Sequence, residues 1–140
     1  MKINIIYWSG TGNTEAMAKL IQEGAQGAGA DVTLTEISDA NAADALAADV
    51  LALGCPSMGV EVLEETLFEP FVASIEGSLG GKTLALFGSY GWGDGEWMTD
   101  WTARMQKAGA VLAADSLIVN EMPAGETEQQ CKDFGAAIAK

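Results

Sequence analysis

The chain has 140 residues, 49% apolar and 19% charged, which is enough to bury a sizeable core without disulfide staples. Seven basic residues against twenty acidic ones give a net charge of −13, which repels nucleic acid and anionic membranes and favours partners with basic surfaces. There is no histidine, and the only cysteines, Cys55 and Cys131, are far apart, so most zinc sites and histidine-dependent triads are excluded.

The first apolar run, Ile3 to Tyr7, is interrupted only by Asn4 and predicts a buried strand. Before it stands Met1-Lys2, with no signal-peptide pattern, and no apolar run approaches the roughly 18 residues that span a bilayer, so a cytoplasmic location is expected. Thr14, Met17, Ala18, Ile21, Ala25 and Ala28 recur at helical spacing, which predicts a helix from about Asn13 to Ala28 that ends at Gly27 and Gly29. A strand over Asp31 to Ile37 precedes an alanine-rich helix near Ala42 to Ala48. A third strand, Asp49 to Leu53, runs into Gly54-Cys55-Pro56.

An uneven helical stretch, Glu64 to Ile75, leads through Gly77, Gly80 and Gly81 to a fourth strand, Thr83 to Phe87, and a glycine-rich loop, Gly88 to Gly95. Met98, Trp101 and Met105 mark one face of the next helix. A strand at Leu117 to Val119, a loop with Pro123 and a helix bearing Cys131, Phe134 and Ile138 complete the chain. Five βα repeats predict an α/β fold: a doubly wound, five-stranded parallel sheet with helices on both faces, in one domain over 1–140. Ligands of such sheets bind beyond the carboxyl ends of the strands, where the loops after strands one, three and four converge.

The first of these loops, Ser9-Gly10-Thr11-Gly12-Asn13-Thr14, sits between a strand and a helix start. Its glycines let backbone N–H groups approach a phosphate, and Ser9, Thr11 and Thr14 add hydroxyl donors. It holds no lysine or arginine, which suits a monophosphate bound by neutral donors. A serine- or threonine-capped βα turn is the plainer alternative. Competing motifs break down. Gly81-Lys82-Thr83 ends like a Walker A loop, but Glu76 stands at its first glycine. Gly10-Thr11-Gly12 meets Glu15 at the third glycine of a dinucleotide fingerprint. A phosphatase loop from Cys55 would need an arginine where Glu61 stands.

The fourth-strand loop carries Ser89, Tyr90, Gly91, Trp92 and Gly93. A large ring among glycines is poorly placed for a core and well placed to stack on a flat heteroaromatic ligand, and Trp92 is the best candidate. Trp97 and Trp101 lie at helical spacing and read as packing residues. Trp8 either shields a ligand or fills the sheet edge. In Pro56-Ser57-Met58-Gly59-Val60-Glu61, Met58 offers a thioether to the opposite ring face and Glu61 a carboxylate to a ring N–H; core filling and a solvated charge are the alternatives.

Taken together, the three loops resemble those of the flavodoxin family, in particular its short-chain, anaerobe-type members. Tyr7 to Thr14 resembles that family's FMN phosphate loop, Gly88 to Gly93 its outer stacking loop, and Met58-Gly59 with Glu61 its inner loop. Glu69-Pro70-Phe71 and Phe134-Gly135 extend the likeness along nearly the whole chain, and the long insertion that splits the last strand of larger members is absent. The resemblance implies strand order 2-1-3-4-5 and one non-covalently bound FMN. Trp92 and Met58 would then flank the ring, Glu61 would bond its N3–H, and Ser9 to Thr14 would hold the phosphate.

The implied function is low-potential one-electron transfer between semiquinone and hydroquinone, as a monomer without substrate turnover of its own. Its partners would be redox proteins with basic docking surfaces, such as ferredoxin-linked oxidoreductases, and neither nucleic acid nor membrane. The resemblance further implies that the Gly59–Val60 peptide turns over on reduction. Val60 departs from the small or polar residue common there. A β-branched side chain resists the positive φ such a turn needs, so Val60 is expected to weaken semiquinone stabilisation relative to glycine. The competing reading is a flavin-dependent quinone or NAD(P)H reductase of the same fold. A receiver domain is disfavoured, because Tyr7-Trp8-Ser9 and Gly54-Cys55 stand where its acidic and phosphorylated residues belong.

Overall fold

A computed structural model describes residues 1–58 and 62–140. The expectations for Gly59, Val60 and Glu61 lie outside the described residues. In chain order the elements are β1 (Lys2–Tyr7), α1 (Asn13–Gly27), β2 (Asp31–Glu36), α2 (Ala42–Ala47), β3 (Val50–Gly54), α3 (Phe68–Glu76), β4 (Thr83–Tyr90), α4 (Glu96–Lys107), β5 (Val111–Leu112), β6 (Leu117–Asn120) and α5 (Glu126–Ile138). The sheet order is β2-β1-β3-β4-β5, with β6 also on β4, and every pairing between these strands is parallel.

Side-chain alternation along the strands feeds two separate cores. Ile6, Leu51, Leu53, Leu84 and Leu86 face one way, under Ala45 of α2, Phe68, Val72 and Ile75 of α3, and Trp97, Trp101 and Met105 of α4. Ile3, Ile5, Ala52, Ala85, Phe87 and Val119 face the other way, under Met17 and Ile21 of α1 and Cys131, Phe134 and Ile138 of α5. In the second layer the two helices approach closely. A Cβ on Gly24 would stand 1.9 Å from the Lys132 carbonyl oxygen, and one on Gly135 2.1 Å from that of Ile21. Among the described residues no helix is long and apolar enough to cross a membrane, and no acid, histidine or cysteine cluster could hold a metal.

Four boundaries differ from expectation. The expected strand to Ile37 gives way to a 3-10 turn over Ile37–Asp39. The expected helix from Glu64 starts only at Phe68, because the Glu64 carboxylate is a cap: it accepts from Leu67 N at 2.8 Å and Phe68 N at 3.0 Å. The fifth sheet position is filled by two short strands, since the chain bends over 113–116 between β5 and β6. The fourth strand extends through Gly88, Ser89 and Tyr90, whose pairing with β6 overrides the poor strand propensity of Gly-Ser. The last of these changes the description of the site.

Candidate functional site

The winding reverses between β1 and β3, and Trp8 N donates to Gly54 O at 3.0 Å across that seam. A crevice of about 640 Å³ opens there, within the range of small-molecule sites. Its lining comes from three predicted segments: Trp8, Gly10, Thr11 and Asn13; Pro56, Ser57 and Met58; and Ser89, Tyr90, Gly91 and Trp92. Three further residues, Asn120, Glu121 and Met122, form a wall that sequence reasoning missed. Ser9, Gly12, Thr14 and Gly93, the other described residues expected at the site, flank this lining. Gly93 lies one residue past the lining in the exposed turn.

At the first loop, the helix start leaves the N–H groups of Gly12, Asn13, Thr14 and Glu15 without intrahelical partners, since Ala16 N makes the first helical bond to Gly12 O at 2.9 Å. The Ser9 hydroxyl accepts two of them, Gly12 N at 3.1 Å and Glu15 N at 3.3 Å. With its two lone pairs filled, the same hydroxyl retains only its proton to offer. The N–H groups of Asn13 and Thr14 are left over at the positive end of α1. Thr14 is 1% exposed, and its Oγ1 accepts Ser89 N at 3.4 Å. This donor set suits an anion. Serine capping of this turn and a set of donors for an anion are compatible in one arrangement.

The other end is apolar and open. Trp92 is 63% exposed, whereas Trp97 and Trp101 are buried, as their helical spacing predicts. Trp97 supports the site from below: its Nε1 donates to Cys55 O at 3.2 Å, and its ring lies 5.8 Å from that of Tyr90. Gly88 permits this packing, because a Cβ there would stand 2.2 Å from the Cys55 oxygen. Trp8 lines the crevice and also packs against the core under α2, α3 and α4. Met58 and Val62 exchange backbone hydrogen bonds of 2.9 and 3.0 Å.

Among the described lining residues Glu121 is the only charged one. Glu64 is buried, and its N–H donates to Cys55 Sγ at 3.4 Å. Burial pushes its carboxyl up, but hydrogen bonds from the Thr66 hydroxyl and from Thr66, Phe68 and Leu67 N–H groups outweigh that and hold it below the usual range. Burial pushes the Cys55 thiol up to about 12, so it stays protonated and inert at the end of β3.

The comparisons with known proteins agree with this geometry. The family model described as "Flavodoxin" matches residues 5–135. The flavodoxin of Clostridium beijerinckii is 52% identical over 137 residues, covering 98% of this chain and 99% of that protein. The flavodoxin of Megasphaera elsdenii is 49% identical over 138 residues, covering 99% and 98%. Among solved structures, that of two-electron reduced Megasphaera elsdenii flavodoxin superposes with a TM-score of 0.89 at 47% identity, covering 98% of each chain. An archaeal flavodoxin gives 0.89 at 30% identity, covering 99% of this chain and 96% of its own. The chain belongs to the flavodoxin family, the FMN-binding electron carriers.

Proposed function

We propose that FMN occupies the crevice with its phosphate at the first loop and its ring system between Trp92 and Met58, and that the chain is a low-potential, one-electron carrier. One observation carries this reading: an anion cradle of neutral donors and an exposed, glycine-flanked indole lie at opposite ends of the same crevice. The N–H groups of Asn13 and Thr14 and the hydroxyls of Ser9 and Thr11 would hold the phosphate. Ser57, Tyr90 and Gly91 would border the ring, and Gly59 to Glu61 would serve its polar edge as in the family.

When bound, the flavin supplies the redox chemistry, taking up and releasing electrons singly. The chain's own residues bind it, cover its faces against water and set how strongly each charge state is held. No basic side chain lines the described crevice, Glu121 does, and the net charge is −13, so added negative charge in the site is opposed. Each tenfold bias against one oxidation state moves a one-electron potential by about 59 mV, in this case downward.

The whole chain, 1–140, acts as one FMN domain, a monomer in the cytoplasm. Its partners are oxidoreductases with basic docking surfaces, the ferredoxin-linked ones among them. Exposed Trp92 and Met122 at the crevice mouth of an acidic chain support that surface chemistry. The test is an anaerobic reductive titration of FMN-loaded protein followed by visible absorption. Two separated one-electron steps, the second needing a strong reductant, are expected. A single two-electron bleaching with NAD(P)H as donor would replace the carrier by the reductase.

A further inference from the structure

Glu121 is the only non-glycine residue with positive φ, 58°, among the described residues. L-residues with a long side chain avoid this region, and they persist there only when the surroundings over-determine them. Glu121 stands directly after β6, on the wall that closes the crevice opposite the first loop. What holds it is traceable. Glu121 N donates to Tyr90 O at 2.8 Å, Asn120 Nδ2 donates to the same oxygen at 3.2 Å, and the Ser89 hydroxyl donates to Glu121 O at 2.8 Å.

Ser89 does more than this. Its N–H donates to the Thr14 hydroxyl at 3.4 Å, and its carbonyl accepts Ser57 N at 3.0 Å. One residue, 2% exposed, therefore binds to the first loop through its N–H, to the second through its carbonyl and to the last through its side chain. The two backbone bonds do not involve the side chain and remain available to an alanine, whereas the third depends on the hydroxyl alone. A buried serine near the end of a strand, where β-branched residues fit better, is otherwise unexplained by packing.

We propose that Ser89 is a positioning residue: its hydroxyl latches Glu121 in the left-handed conformation and so sets the 120–122 wall against the cofactor crevice. The inference rests on the FMN reading of that crevice. Without the latch, a residue with a Cβ at position 121 relaxes toward negative φ, Asn120 and Met122 shift with it, and the crevice loses its preformed shape. A glycine at that position suffers no such relaxation, because positive φ costs it nothing.

The experiment is a cycle of Ser89→Ala with Glu121→Ala and Glu121→Gly, measured by FMN titration and, without any ligand, by amide hydrogen exchange of the apoprotein. Both changes at position 121 remove the carboxylate equally, so their difference reports backbone conformation and not charge. With Ser89 present, the Glu121→Ala and Glu121→Gly proteins should bind FMN within about threefold of each other. In the Ser89→Ala background the Glu121→Gly protein should bind about tenfold more tightly than the Glu121→Ala protein. Ser89→Ala alone should speed exchange of the Glu121 amide about tenfold, while the amides of β1 and β3 keep their protection. Equal FMN affinities for the two Glu121 variants in both backgrounds would overturn the latch, as would unchanged exchange at Glu121. A rise in exchange across all strands would reduce Ser89 to a general structural role. Failure of the unmodified protein to bind FMN is a separate outcome: it would refute the crevice assignment, while the exchange measurement would still judge the latch.

Discussion

The two ends of the crevice are finished in opposite ways. At the proposed phosphate end, the Ser9 hydroxyl already accepts from Gly12 N and Glu15 N, and the buried Thr14 hydroxyl accepts from Ser89 N, so the loop is held in place without a ligand. At the proposed ring end, Trp92 and Met122 stay exposed. The supporting layers differ too. The phosphate loop feeds α1, which packs on α5 so tightly that Gly24 and Gly135 have no room for a Cβ. The ring slot lies over the larger side chains of α3 and α4, which are tied by polar bonds at their edges. Pre-organisation belongs to the anion site and exposure to the stacking site. A substitution at one end should therefore damage stability and binding together, and at the other end binding alone.

Trp92→Ala gives the largest expected effect and the sharpest test of that division. Losing the stacked indole should cost about 2 kcal/mol of FMN binding, roughly thirtyfold in Kd, as read by flavin fluorescence quenching. The apoprotein should melt within about a degree of the unmodified chain, because a largely exposed side chain contributes little to folding. A large loss of melting temperature would mean that Trp92 is a packing residue after all.

Ser9→Ala tests the other end. Removing a helix cap costs about 1 kcal/mol, and here the loss should register twice: in the urea midpoint of the apoprotein and in FMN affinity. Riboflavin, which lacks the phosphate, should bind the Ser9→Ala protein about as well as it binds the unmodified one. If its affinity fell as far as that of FMN, Ser9 would be shaping the ring slot and the division of labour would collapse.

Much of this is legible in residue types. The strand–Ser-Gly-Thr-Gly–helix pattern carries the cradle because glycine, hydroxyls and a helix start are each chemically marked. Trp92 stands out because no core accepts a ring among glycines. The third wall has no such mark: Asn120-Glu121-Met122 reads as an ordinary polar turn, and its φ of 58° exists only in the backbone. Ser89 reads as a loop residue because Gly-Ser disfavours strands, and the pairing with β6 that makes it a strand is a contact 30 residues away in sequence. Glu64 reads as helical by its composition, although its carboxylate caps the helix from outside.

That cap gives a pH-dependent prediction on the ring side. The folded pKa of Glu64 lies below its unfolded value, so its contribution is fully present above the ordinary carboxylate range and is lost as pH falls through the folded value. The unmodified protein should therefore lose part of its stability below about pH 4.5, while Glu64→Gln, about 1 kcal/mol less stable at pH 7, should show a flatter acid limb in urea titrations. Parallel acid limbs for the two proteins would place the proton uptake at other carboxylates.

The smallest expected effect comes from Arg104, on the layer under the slot. Its guanidinium joins α4 to α3 through Glu69, at 2.7 and 2.9 Å, and through Glu76, at 2.9 and 3.1 Å. All three side chains are partly exposed, so screening limits the pair energies, and the fork geometry is what a lysine cannot reproduce. Arg104→Lys should cost about 0.5 kcal/mol in the urea midpoint and leave FMN affinity within about twofold. The sign matters more than the size. If this remote change weakened FMN binding more than it weakened folding, then α3 and α4 would be holding the ring slot in shape, and the slot would be as pre-organised as the cradle it faces.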